Sequence, residues 1–218
     1  MPTTLQSPRV ADTLHRMYAE SQEQMATLRE RLPNMSAART VQERADAMSE
    51  FYIPVTPEAG RLLYALVRAT KPATIVEFGM SFGISALHLA SAARDNGTGR
   101  VITTEISDTK IAAAKQTFTD IGLDDLITVL EGDALTTLAE LDGPVDFVLL
   151  DGWKELYLPV IELLEPKLSP GALVIADNTE SADTRTYLDY VHGSESGYVS
   201  FNFAVRESDS MELSCYTG

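Results

Sequence analysis

The chain has 218 residues, which fits one compact domain, or one domain with a small helical extension. Hydrophobic residues make up 44%, and 17 Lys and Arg against 32 Asp and Glu give a formal charge of −15 at pH 7. That is an ordinary soluble composition with an acidic surface that repels phosphate backbones and anionic lipid, so neither nucleic acid nor membrane is an expected partner. Cys215 is the one cysteine, so no intrachain disulfide forms, which fits a reducing, cytoplasmic setting. Residues 1–9 have no apolar run of signal-peptide type, and no segment is apolar enough for long enough to span a bilayer.

In chain order, residues 10–31 are polar, with Leu14, Met17, Met25 and Leu28 at helical spacing, and Pro33 is expected to end that helix. Ser36 is expected to cap a second helix over 37–50, carrying Ala38, Val41, Ala45 and Met48. The stretch Phe51-Tyr52-Ile53-Pro54-Val55-Thr56-Pro57 is too rich in proline for a helix interior, but Thr56-Pro57 is a good start for the next helix, to about Thr70. From Lys71 the pattern alternates. Strands are expected at 74–78, 100–106, 127–131, 145–150 and 172–176, with helices at 84–94, 108–121, 134–141 and 155–167 between them. The strands are nearly all apolar, as in a parallel sheet covered on both faces. A helix near 182–191 follows, then strands 198–205 and 211–216 joined by the polar link Glu207-Ser208-Asp209-Ser210, so the sheet ends in an antiparallel pair.

The first strand runs into Glu77-x-Gly79-x-x-x-Gly83 and then a helix. Glycines there let a ligand approach the backbone, and the helix start offers free N–H groups. The spacing differs from the dinucleotide pattern G-x-G-x-x-G, and an acid two residues before the first glycine suits an amine-bearing tail better than a pyrophosphate. Glu105, at the end of the second strand, can accept from both hydroxyls of a ribose. Asp133, after the third strand, either caps the next helix or accepts from an adenine amine. The fourth strand ends in Asp151-Gly152-Trp153-Lys154 and the fifth in Asp177-Asn178. Were those strands neighbours, Asp151, Asp177 and Asn178 would offer three oxygen donors to Mg²⁺ or another hard divalent ion. With no cluster of His and Cys, zinc is not expected. Lys154, beside such an ion and a helix N-terminus, has its charged form disfavoured and so suits a general base. Trp153 reads as a packing residue, His88 as part of the first sheet-covering helix, His15 as part of the N-terminal helix and His192 as a loop residue.

These residues resemble the cation-dependent, catechol-type and caffeoyl-CoA O-methyltransferases, a branch of the class I S-adenosylmethionine-dependent family. The likeness is carried by Val76-Glu77-Phe78-Gly79-Met80-Ser81-Phe82-Gly83-Ile84-Ser85, Asp151-Gly152-Trp153-Lys154 and Ala176-Asp177-Asn178, and spans roughly 54–218. It implies an α/β, Rossmann-like, doubly wound sheet of seven strands with an antiparallel last strand and helices on both faces. It implies S-adenosylmethionine contacts at Val55, Glu77, Gly79, Ser85, Glu105, Asp133, Ala134 and Asp151, a divalent metal on Asp151, Asp177 and Asn178, and Lys154 as base. Residues 56–218 would then form the methyltransferase domain. Residues 1–55 would form a helical extension, either a cover over a small catechol-like acceptor or a homodimer contact. Two departures stand out: Gly152 occupies a position where relatives carry varied side chains, and 179–210 matches poorly. A metal-independent transferase and a non-catalytic S-adenosylmethionine-binding protein remain as alternatives.

Overall fold

The structure is a computed structural model that describes residues 3–35, 40–193, 195, 197–206 and 209–218. Helix α1 (Pro8–Met35), α2 (Val41–Ala47) and α3 (Pro57–Thr70) precede the sheet. There follow β1 (Thr74–Phe78), α4 (Ile84–Asn96), β2 (Arg100–Glu105), α5 (Asp108–Ile121), β3 (Ile127–Glu131) and α6 (Ala134–Thr137). The chain continues with β4 (Val145–Leu150), α7 (Tyr157–Leu164), β5 (Leu168–Ala176), α8 (Arg185–Val191), β6 (Tyr198–Arg206) and β7 (Asp209–Tyr216).

The seven strands lie in the order β3-β2-β1-β4-β5-β7-β6. Strands β1 to β5 are parallel, and β7 runs antiparallel to both β5 and β6. The chain starts at the centre with β1, runs out to β3, then returns to β4 on the other side, so the connections diverge between β1 and β4. Ligands bind beyond the carboxyl ends of strands at such a point.

Alternation along the strands divides the core into two layers. Ile75, Phe147, Leu149 and Ile175 face α1, α3, α4 and α5, whereas Val76, Val148, Val174 and Ala176 face α6, α7 and α8. Val10, Leu14 and Met17 of α1 are buried in the first layer, so the N-terminal helix is part of the fold's packing rather than an appendage. Thr4 reinforces this, donating from its backbone N–H (2.9 Å) and its hydroxyl (2.6 Å) to Asp95 at the end of α4.

Several boundaries differ from the sequence reading. Helix α1 continues through Pro33 to Met35, since a proline this near a helix end disturbs only the last turn. The expected Ser36 cap lies outside the described residues. Helix α2 is shorter than 37–50 and is capped by Thr40, whose hydroxyl accepts from the Glu43 N–H while the Glu43 carboxylate accepts from the Thr40 N–H. Helix α6 stops at Thr137, and 155–167 divides into α7 flanked by short 3₁₀ turns at Lys154–Leu156 and Glu165–Lys167. Asp209 and Ser210 belong to β7 rather than to the hairpin link, and Glu207 and Ser208 lie outside the described residues.

His88 lies in α4 with 3% exposure, its Nδ1 2.9 Å from the Ile84 carbonyl oxygen. Burial pushes the imidazole down from 6.5 to about 4, against the opposing pull of that hydrogen bond. Between those values the unfolded chain binds a proton that the folded chain refuses, so this group removes stability as pH falls from 6.5 to 4, by about 3 kcal/mol. Glu77 acts in the opposite sense: burial lifts its carboxyl from 4.5 to about 7, so its folded-state proton favours folding as pH falls through that window. The slopes overlap, so the test is a difference. The unfolding free energy of the wild type minus that of His88→Gln is expected to rise by about 3 kcal/mol from pH 4 to 7 in urea titrations. A flat difference would remove His88 from this account.

Candidate active site

At the carboxyl edge of the sheet, backbone hydrogen bonds carry the strand order past the strand ends. The Asp151 N–H donates to the Phe78 carbonyl and the Asp177 N–H to the Leu150 carbonyl, both at 2.9 Å. Pairing of Leu150 with Ala176 brings the ends of β4 and β5 side by side, so Asp151, Asp177 and Asn178 follow adjacent strand ends.

A cavity of about 380 Å³ opens on this edge. Gly79, Glu105, Asp133, Ala134, Asp151, Lys154 and Asn178 of the sequence-derived set line it. Glu77 and Ser85 are buried, and Ser85 faces a small recess beside Tyr52, Ile53 and Pro54. Val55 is not on the cavity wall: it is 1% exposed and packed into the core, while Ile53 takes the lining position. Asp177 is 4% exposed and sits behind the lining residues.

Each acid has a distinct environment. One Glu77 oxygen accepts from the Thr103 hydroxyl; the other, Oε1, is buried without a hydrogen-bond partner. Burial drives this carboxyl up, Ser85 and Thr103 pull it down, and Glu105 adds repulsion. An amine-bearing ligand would supply both the missing donor and the missing charge. Glu105 is more occupied than the sequence suggested. It accepts from the N–H groups of Ser81 (2.8 Å), Ile106 and Ser107 (both 2.9 Å), so of about four acceptor positions one is left for a ribose hydroxyl. Asp133 is exposed and caps α6, accepting from Leu135 N–H at 3.2 Å, which is the structural alternative the sequence left open.

Burial pushes both Asp151 and Asp177 up, and Lys154 pulls both down. Asp177 and Glu77 add repulsion at Asp151, and Asp209 adds it at Asp177. Lys154 Nζ lies 3.4 Å from Asp151 Oδ1 and donates to the Tyr157 hydroxyl at 2.8 Å. That hydroxyl in turn donates to the Asp177 carbonyl at 2.9 Å. Asn178 adopts the left-handed region, φ 57°, which asparagine tolerates. Its amide N–H donates to Asp209 Oδ2 at 2.6 Å, leaving the amide oxygen as its other polar atom. Two largely buried carboxylates and an amide oxygen thus follow two adjacent strand ends, all of them oxygen donors, with one lysine beside them. By chemistry, oxygen donors of this kind would suit a hard divalent cation. Among the described residues, no group of three or more His, Cys, Asp or Glu side chains is placed to hold a metal.

Sequence reasoning missed four residues here. Tyr157 links Lys154 to Asp177, and its spacing of three from Lys154 was the available signal. Asp209 orients Asn178 from a distant strand and left no local signal. Lys110, 5% exposed, lines the cavity with its ammonium 5.6 Å from the Phe82 ring centre. Arg44 reaches the cavity from α2, its guanidinium carbon 4.4 Å from the Trp153 ring centre. Trp153 therefore lines the site as well as packing against Leu28, Met48 and Phe51. The departure at Gly152 also has a physical reason: a Cβ there would lie 2.5 Å from the Phe78 ring.

Known proteins place this architecture. A family model described as a methyltransferase domain matches residues 76–179. A probable O-methyltransferase of Mycobacterium tuberculosis is 33% identical over 150 residues, covering 64% of this chain and 63% of that protein. The mouse catechol O-methyltransferase is 30% identical over 180 residues, covering 78% of this chain and 67% of that enzyme. The chain thus spans just under two thirds of the first relative and about two thirds of the second. Among solved structures, an O-methyltransferase from Bacillus cereus in complex with SAH superposes with a TM-score of 0.68 at 23% identity, covering 94% of this chain and 100% of that one. Fold and relatives agree, and the chain belongs to the class I S-adenosylmethionine-dependent O-methyltransferase family.

Proposed function

We propose that the chain transfers a methyl group from S-adenosylmethionine to a hydroxyl of a small, catechol-like acceptor, assisted by a divalent cation, Mg²⁺ being the best match to the donor set. The observation that carries this reading is that the Gly79–Glu105 side of the site and the Asp151–Lys154–Asn178 side open on one cavity. In this reading S-adenosylmethionine supplies an electrophilic methyl group and the cation supplies Lewis acidity toward the acceptor hydroxyl.

The chain's own residues do the rest. Glu77 holds the amine of the cofactor's amino-acid tail, with Ser85 bracing the carboxylate. Glu105 takes one ribose hydroxyl, and Gly79 lets the ligand lie against backbone. Asp133 and Ala134 border the adenine end. Asp151, Asp177 and Asn178 would hold the cation, with Asp209 fixing the Asn178 amide. Lys154, once its ammonium has released a proton to solvent, receives the acceptor's hydroxyl proton on the neutral Nζ, while the Tyr157 hydroxyl keeps that nitrogen in place. The oxygen takes the methyl group as the sulfur–carbon bond breaks, so positioning is the main contribution of the protein. Helix α2 lies against the acceptor half through Val41, Arg44, Ala45 and Met48, which favours a cover over a homodimer contact for this part of the N-terminal region.

Methyl transfer to a small catechol panel, with and without EDTA, tests the reading. Turnover is expected to fall at least about tenfold in EDTA and to return with excess Mg²⁺. Full turnover in EDTA would favour metal-independent transfer. Tight cofactor binding by calorimetry with no transfer to any acceptor would favour a binding protein.

A further inference from the structure

Among the described residues, three cationic side chains line the cavity: Lys110, Lys154 and Arg44. Lys110 is coupled electrostatically to Glu105 on the nucleoside side, and Lys154 to Asp151 and Asp177. Arg44 stands apart from both. It belongs to the covering helix α2; Val41 and Ala45 of that helix, and Met48 and Ile53 after it, are apolar and line the same cavity. Its guanidinium lies against the Trp153 ring and is ion-paired through Nη2 to Glu155. The Arg44 side chain is only 29% exposed, so its charge is screened less than a free surface arginine's.

A guanidinium whose carbon lies 4.4 Å from a ring centre still carries N–H groups directed away from the ring, and a planar carboxylate can take two of them. Glu155 occupies one of five. On a chain of net charge −15, an arginine in the mouth of a site is the exception to the general field. The apolar wall beside it suits an aromatic ring, and Trp153 forms part of that ring's surroundings. We infer that the acceptor is an aromatic diol carrying a carboxylate, and that Arg44 selects it by binding that carboxylate. This rests on the function proposed above and narrows its substrate class. Glu155 then has a second role: it holds Arg44 in place when no acceptor is bound and competes with the incoming carboxylate. Asp183, on the rim, is an opposing charge, but it is exposed and more strongly screened.

Trp153 is the only tryptophan in the chain, so its fluorescence reports directly on this part of the cavity. The experiment titrates that signal with 3,4-dihydroxybenzoate and with 4-methylcatechol, a matched pair differing in the carboxylate, in the presence of S-adenosylhomocysteine and Mg²⁺. The wild type is expected to bind the carboxylate at least about tenfold tighter. In Arg44→Gln the ratio of the two dissociation constants should fall to about one to two, and in Glu155→Gln it should rise about threefold. No response to either ligand in the wild type, no preference for the carboxylate, or an unchanged ratio in Arg44→Gln would overturn the inference. Methyl transfer is measured in parallel. A preserved binding ratio without transfer would sink the proposed reaction while leaving the ligand class standing.

Discussion

Replacing Lys154 with methionine is expected to lower methyl-transfer turnover by about 10²–10⁴-fold, the range for loss of a positioned general base. Binding of S-adenosylhomocysteine should stay within about twofold, because no cofactor group is assigned to Lys154 and cofactor binding precedes any proton transfer. The fold should survive. The lysine side chain is 21% exposed, and its loss leaves Tyr157 still donating to the Asp177 carbonyl. Methionine keeps most of the volume without the charge. Divalent-cation affinity, followed by Mn²⁺ binding, should hold or rise, since an ammonium 3.4 Å from Asp151 Oδ1 no longer competes for that carboxylate. This pattern separates a base from a cation whose only task is to neutralise Asp151. Turnover within threefold of wild type would remove Lys154 from the chemistry. Loss of both cofactor and cation binding would make its role structural.

Gly79→Ala should be a highly damaging change for a single methyl group. The residue sits at φ 97°, and a Cβ would lie 2.6 Å from both the Cα and the N of Gly152. Neither obstacle is a side-chain tip that can swing away, so relief requires moving the loop that carries Asp151 and Lys154. Backbone strain and overpacking together should cost roughly 3 kcal/mol of stability in urea unfolding. Cofactor affinity by calorimetry should fall at least about tenfold even where the protein remains folded. Gly97→Ala is the control: it has φ 67°, but nothing lies within 4 Å of the added atom, so only the conformational part of the cost should be seen. A folded Gly79→Ala protein with normal affinity for S-adenosylhomocysteine would show that the close approach of the two turns does not shape the site.

The parallel core was legible because each strand is a short apolar run followed by a helical period, and because Glu77, Glu105, Asp151 and Asp177 interrupt apolar runs at their ends. A charged residue there has few explanations other than a strand terminus or a ligand. Convergence of Asp151 with Asp177 needed only the adjacency of β4 and β5, and the pairing of Leu150 with Ala176 supplies it. What was not legible depended on long-range packing. Arg44 approaches Trp153 across more than a hundred positions, and Asp209 meets Asn178 from a strand that reads as a hairpin link. No local spacing encodes either. Val55 was assigned to the cofactor by likeness alone; the side chain turns into the core, and the proline-rich stretch presents Ile53 instead. The cap was expected at Ser36, and the Thr40-x-x-Glu43 spacing that marks the observed capping box went unread.

Phe78 and Gly152 fill a single space, one from the end of a strand and the other from the loop behind it. The two positions therefore cannot drift independently. A larger residue at 152 requires the ring at 78 to shrink or to shift within its packing, and shrinking the ring first leaves a void beside Tyr157, whose own ring centre is 6.3 Å from that of Phe78. Either order passes through a less fit intermediate. The loop bearing Asp151 and Lys154 is thus tied by inheritance to the residue that closes the first strand. Any redesign of position 152 has to begin at 78.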